Sequence, residues 1–119
     1  MVNRSKQKGT NAETAQVNYL RQRGAPHAER RTQAGAHDKG DIAGLPGVVI
    51  ESKACKTYDL GGWLAEAHKE RDNAGAAIGV VWFKKRGTTD PGKWYVLMDG
   101  ETLCDLLIAA GYIPEGKAA

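Results

Sequence analysis

Cysteine is scarce: the chain has two, Cys55 and Cys104, too few for a disulfide framework or a cysteine-rich zinc site. They are read as small buried apolar groups. The three histidines, His27, His37 and His68, lack zinc-ligand spacing and are assigned to surface or loop positions. Long apolar runs are missing too. The longest, Ala74 to Phe83, is about ten residues, against the roughly 20 needed to span a bilayer. The opening Met-Val-Asn-Arg-Ser-Lys-Gln-Lys has no apolar stretch of the secretory type, so a reduced, cytoplasmic chain is expected. There are no internal repeats, and 119 residues leave no room for a second domain. Residues 1–10 read as a flexible basic N-terminus and 11–119 as one domain.

What is present is an ordinary globular balance, 41% hydrophobic and 26% charged, with an uneven spread of charge. Residues 1–39 hold eight basic and three acidic side chains, whereas residues 40–119 hold nine and eleven. A basic N-terminal third suits a polyanionic partner, and suits a solvated tail equally well.

Thr10-Asn11-Ala12-Glu13 has capping-box spacing and predicts a helix from there to about Arg23, ended by Gly24 and Pro26. Ala25 to Arg31 reads as a short strand and Thr32 to Lys39 as a mobile loop. Gly40 to Ala54 reads as two strands joined at Pro46-Gly47. A helix is expected over Leu60 to Ala74, with Trp63, Leu64, Ala67 and Arg71 as its stripe. Ala76 to Lys85 and Lys93 to Met98 are β-rich, with a turn between them. Glu101 to Ala110 is an amphipathic helix carrying Leu103, Leu106 and Leu107. The order α-β-β-β-α-β-β-α predicts an α/β domain with a mixed central sheet flanked by helices.

The chemistry concentrates in Glu13, Asp41, Glu51 and Lys53. Side chains alternate along a strand, so Glu51 and Lys53 share one face while Val48 and Ile50 point to the other. A hairpin at Pro46-Gly47 carries Asp41 back beside Glu51. Two carboxylates brought together this way repel unless a cation joins them. An all-oxygen set suits Mg²⁺, with Mn²⁺ as a substitute, rather than zinc. Lys53 is then placed to hold or help deprotonate a water, or to steady charge on a phosphate. A surface ion pair explains Glu-x-Lys in isolation, and a helix cap explains Glu13 in isolation. Asp41, the turn and the apolar Val48-Val49-Ile50 run are what shift the balance.

Gly40-Asp41 followed by Glu51-Ser52-Lys53 resembles the core of the PD-(D/E)XK nuclease superfamily, whose fold is restriction-endonuclease-like. Glu13 on the preceding helix, and Arg30-Arg31 followed by the small residues Ala34 and Gly35, resemble more specifically the archaeal-type Holliday junction resolvases. The Ala77 to Phe83 strand fits as well, and the likeness covers about residues 8–85. The proline that precedes the aspartate in the family is Gly40 here. The resemblance implies a Mg²⁺-dependent endodeoxyribonuclease that nicks four-way DNA junctions symmetrically as a homodimer. It implies Asp41, Glu51 and Glu13 as the metal residues, Glu13 in an assisting part, with Lys53 beside the water. The Ile78 to Phe83 strand and the C-terminal helix are then the expected dimer elements.

Arg21, Arg23, Arg30, Arg31, Lys39 and Lys56 are candidate phosphate contacts, or else solvated cations. Tyr58 reads the same two ways, and Lys84-Lys85-Arg86 is a solvated hairpin tip or an extension of a basic surface. Trp63, Trp82 and Trp94 are expected in the core or at a dimer contact. Other functions stay open at this stage: a flap, repair or restriction-like nuclease, a non-catalytic DNA-binding module, or a protein-binding domain.

Overall fold

The structure is a computed structural model and describes residues 3–31 and 38–116. Of the expected loop over 32–39, residues 32–37, with Ala34, Gly35 and His37, lie outside the described residues. The elements run α1 (Arg4–Gln22), β1 (Glu29–Arg30), β2 (Ile42–Ala43), β3 (Val48–Lys53), α2 (Leu60–Ala74), β4 (Ile78–Phe83), a single 3₁₀ turn (Pro91–Lys93), β5 (Tyr95–Leu97) and α3 (Gly100–Ala109). The five strands form one mixed sheet in chain order: β1, β2 and β3 are antiparallel, β3 and β4 parallel, β4 and β5 antiparallel. The chain is therefore α/β in the predicted order. Among the described residues no helix is long and apolar enough to cross a membrane.

Alternation along β3 and β4 sorts the core into two layers. Ile50, Ile78, Val80 and Trp82 meet α1 through Ala12 and Val17, together with Ala28, Ile42 and Trp94. Val81 and Phe83 face the other way, against Trp63 and Ala67 of α2. Because β4 is covered on both faces, all six of its residues are buried. That overturns β4 as a dimer element: it is central, between β3 and β5. All three tryptophans are core residues, and two of the indole N–H groups donate to backbone, Trp82 to Pro91 O at 3.1 Å and Trp94 to Thr88 O at 2.9 Å.

Helix α1 begins two turns earlier than its sequence spacing predicts. Asn3 is the cap, its side chain accepting from Lys6 N at 3.2 Å, and residues 4–10, expected to be loose, are helical. An Asn followed by helix-compatible polar residues competes successfully with Thr10, which ends up inside the helix. The capping box does not form. Both cysteines are exposed rather than buried, since Cys55 follows β3 into a loop and Cys104 lies on the outer side of α3. Leu103 is 47% exposed for the same reason, while Leu106 and Leu107 are half-buried.

Two glycines set the β2–β3 hairpin. Gly40 has φ +96°, and a Cβ there would stand 2.8 Å from Val49 Cγ1 and 3.2 Å from Ile50 O. A proline, locked near φ −65°, cannot occupy this backbone. Gly44 has φ +94°, and a Cβ would collide with the His27 carbonyl. Gly44→Ala is expected to cost about 3 kcal/mol, read as a lower denaturation midpoint at an unchanged slope.

Candidate metal centre

Asp41 sits one residue before β2, where its N–H donates to Ile50 O at 3.0 Å. The Ile42–Ile50 pairing sets Asp41 across from Glu51, on the α2 side of the sheet. Asp41 Oδ2 accepts from Ser52 N at 2.7 Å, so the carboxylate is held by the strand it faces. Lys53 shares that face, as alternation predicts. Its Nζ donates to Glu66 Oε2 at 3.0 Å and to Oε1 at 3.3 Å. The structure thus brings Asp41, Glu51 and Lys53 together.

Two further acids enter from α2. Donor oxygens of Glu51, Glu66 and Glu70 all lie within 4.8 Å of one another, a spacing that lets one cation be shared. Glu66 and Glu70 are four residues apart and present to the same side of the helix. The sequence reading missed them, although a signal existed. Trp63, Ala67 and Glu70 are the buried stripe of α2, at i, i+4 and i+7, and the last of these positions is an acid. Arg71, the expected fourth member, is not among the buried residues of the helix.

Burial is what makes the group unusual. Glu51 is 2% exposed and Glu70 3%, and Glu70 Oε2 is buried with no hydrogen-bond partner. Removal from water, and then the crowding of Asp41, Glu66 and Glu70, hold the Glu51 carboxyl far above the carboxylate range. Burial, with the charges of Asp38, Asp41 and Glu66 behind it, pushes Glu70 up to about 7. A hydrogen bond from Glu51, helped by Lys53, holds Glu66 low instead. Without a cation, protons therefore do the neutralising. An orphaned buried oxygen beside crowded acids fits a small divalent ion, because such an ion satisfies the oxygen and displaces the protons together.

Burial acts to lower Lys53, but Glu66, Glu51 and Asp41 outweigh it and hold the ammonium above its ordinary value. Lys53 is therefore a fixed positive charge rather than a base. Gln16 of α1 is fully buried on the opposite face. It donates to Trp82 O at 3.1 Å and accepts from Ser52 Oγ at 2.5 Å, so it pins the strand segment between Glu51 and Lys53.

Glu13 stands apart from the three clustered acids. It projects from α1, with Oε1 accepting from Arg30 Nε at 3.0 Å, and burial raises its carboxyl against the pull of Arg30. Asp41 is close enough to add to that rise. Glu13 and Asp41 line a cleft of about 570 Å³ together with Lys6, Arg30 and Arg31. Arg31 Nε is buried there without a hydrogen-bond partner. Arg21 and Arg23 are at the far end of α1, roughly 12–15 Å along the axis from Glu13. Arg21 donates to Ala28 O at 2.9 Å. Lys39 and Lys56 are exposed, one before Gly40 and one beyond β3.

No family model, curated protein or solved structure matches this chain significantly.

Proposed function

We propose that the chain is a Mg²⁺-dependent endodeoxyribonuclease with a restriction-endonuclease-like core, acting on four-way DNA junctions as a homodimer. One observation carries the reading: Asp41 and Glu51 meet beside Lys53, and the nearly buried Glu70 adds an oxygen without a partner. Asp41 and Glu51 would hold the ion, with Glu66 and Glu70 completing its oxygen set. A divalent cation there supplies charge neutralisation at the scissile phosphate and acidifies a nearby water.

The remaining roles belong to the chain. The Lys53 ammonium meets the negative charge that builds on the phosphate oxygens during attack. Lys6, Arg30 and Arg31 hold neighbouring phosphates along the cleft, with Glu13 orienting Arg30. Water attacks phosphorus in line, the bond to the 3′ oxygen breaks, and a 5′ phosphate and a 3′ hydroxyl remain. The choice of a junction as substrate, and of a dimer with two sites, rests on the likeness in Glu13, Gly40-Asp41 and Glu51-Ser52-Lys53.

A synthetic four-way junction, incubated with and without Mg²⁺ and resolved on a denaturing gel, tests this directly. Paired symmetric nicks are expected with Mg²⁺ alone, together with slow cutting of linear duplex. Comparable cutting of flaps or linear DNA points to a repair or restriction-like nuclease. No cutting of any of these DNAs in Mg²⁺ or Mn²⁺ overturns the enzyme reading.

A further inference from the structure

A second hollow, of about 490 Å³, opens beyond the carboxyl ends of β3 and β4. It is lined by Lys8 from α1, Lys56 just past β3, Lys84 and Arg86 just past β4, and Tyr58; no acidic side chain lines it. The cleft beside Glu13 is different, since there cations alternate with carboxylates. Among the described residues none of these four cations is in an ion pair. Four like charges turned toward one concavity repel, and a polyanion relieves that repulsion.

The hollow is also built rather than loose. Lys84 N donates to Lys53 O at 2.9 Å, which joins the ends of the two parallel strands. Lys84 Nζ lies 5.9 Å from the centre of the Trp94 ring. Tyr58 packs edge-on against Phe83 at 5.0 Å and against Trp63 at 5.8 Å, yet remains 44% exposed. Its hydroxyl reaches Lys84 O at 3.4 Å. An aromatic side chain held at the rim of a basic hollow can cover a sugar or base while the cations take phosphates.

We infer that this hollow binds the backbone of DNA running on from the cleavage centre, through Lys8, Lys56, Lys84 and Arg86. Lys56 is three residues past Lys53, at most about 10 Å of extended chain, so one strand can occupy both places. The inference takes the polyanion's identity from the nuclease reading and extends it to a surface that reading does not use. Contacts of this kind are sequence-independent and steeply salt-dependent.

The test is the double variant Lys84→Ala/Arg86→Ala, two exposed side chains beyond the strand ends. Binding of a labelled four-way junction is measured in Ca²⁺ buffer from low to moderate salt, beside wild type. The double variant is expected to bind about tenfold more weakly at low salt. Its slope of log affinity against log salt should be shallower by about 1.8, from two lost phosphate contacts at roughly 0.9 each. Unchanged affinity and slope in the double variant overturn the hollow as a DNA site even if wild type cleaves junctions. A shallower slope in a protein that never cleaves upholds the hollow and overturns the nuclease instead. Absence of DNA binding at low salt overturns the hollow outright.

Discussion

Glu51→Gln is expected to abolish junction cleavage, by a hundredfold or more, while making the metal-free protein more stable at pH 8. The two effects have one cause. Glu51 is 2% exposed and crowded by three carboxyl groups, so in the absence of a cation it folds only with a proton attached. At pH 8 that proton must be taken from a solution in which the unfolded side chain is ionised, and the cost falls on stability. A glutamine has the same shape and donates to Glu66 without that cost. The gain should be on the order of 2 kcal/mol, seen as a melting temperature raised by several degrees in chelator. The same variant should lose most of the stabilisation that Mg²⁺ brings. A residue there for stability behaves the opposite way. Cleavage at the wild-type rate, or a lower melting temperature in chelator, would remove Glu51 from the centre.

The wild-type protein in chelator should melt at a higher temperature near pH 5.5 than near pH 8, and Mg²⁺ should flatten that dependence. The sign follows from the carboxyl groups whose folded values are raised. Glu70 is pushed up to about 7 and Glu51 far higher, against an unfolded value of 4.5. Stability from their protons is complete below the unfolded value. It is lost for Glu70 as the pH climbs through 7, and for Glu51 it goes on falling above that. Glu13 is raised as well and adds in the same direction. Glu66 works the other way, but being lowered it loses its contribution only below the ordinary carboxylate range. Discounted for solvent screening, the difference between pH 5.5 and 8 should be on the order of 2 kcal/mol, about 5–10 °C. Mg²⁺ at a hundred times its dissociation constant restores about 2.7 kcal/mol at pH 8, because the ion replaces the protons. A melting temperature that rises with pH in chelator, or that ignores Mg²⁺, would contradict a cation-binding centre.

Both experiments depend on a site only partly visible along the chain. The period-2 pattern of Val48 to Lys53 correctly put Glu51 and Lys53 on one face and Ile50 on the other, because a strand has only two sides. The Pro46-Gly47 turn correctly returned Asp41 beside Glu51. Helix α2 was recognised over its full length from its spacing, yet its two acids were not linked to β3. Nothing in the Leu60–Ala74 segment says which strand it will cross. The start of α1 is hidden for a related reason: Asn3 caps the helix in the fold, and nothing local to Thr10 says that an earlier cap will win.

By itself, then, the amino-acid order determined what repeats over two to four residues. It settled the succession of helices and strands, the two faces of β3, the turn that pairs Asp41 with Glu51, and the lack of any apolar run long enough for a membrane. The tertiary structure decided what lies far apart in sequence. It brought Glu66 and Glu70 over Glu51, set Glu13 against Arg30, buried β4 at the middle of the sheet, and gathered Lys8, Lys56, Lys84 and Arg86 around one hollow. The physical reason is range: steric and hydrogen-bonding preferences of the backbone act between neighbours, whereas burial and charge act between whichever groups the packed layers bring together.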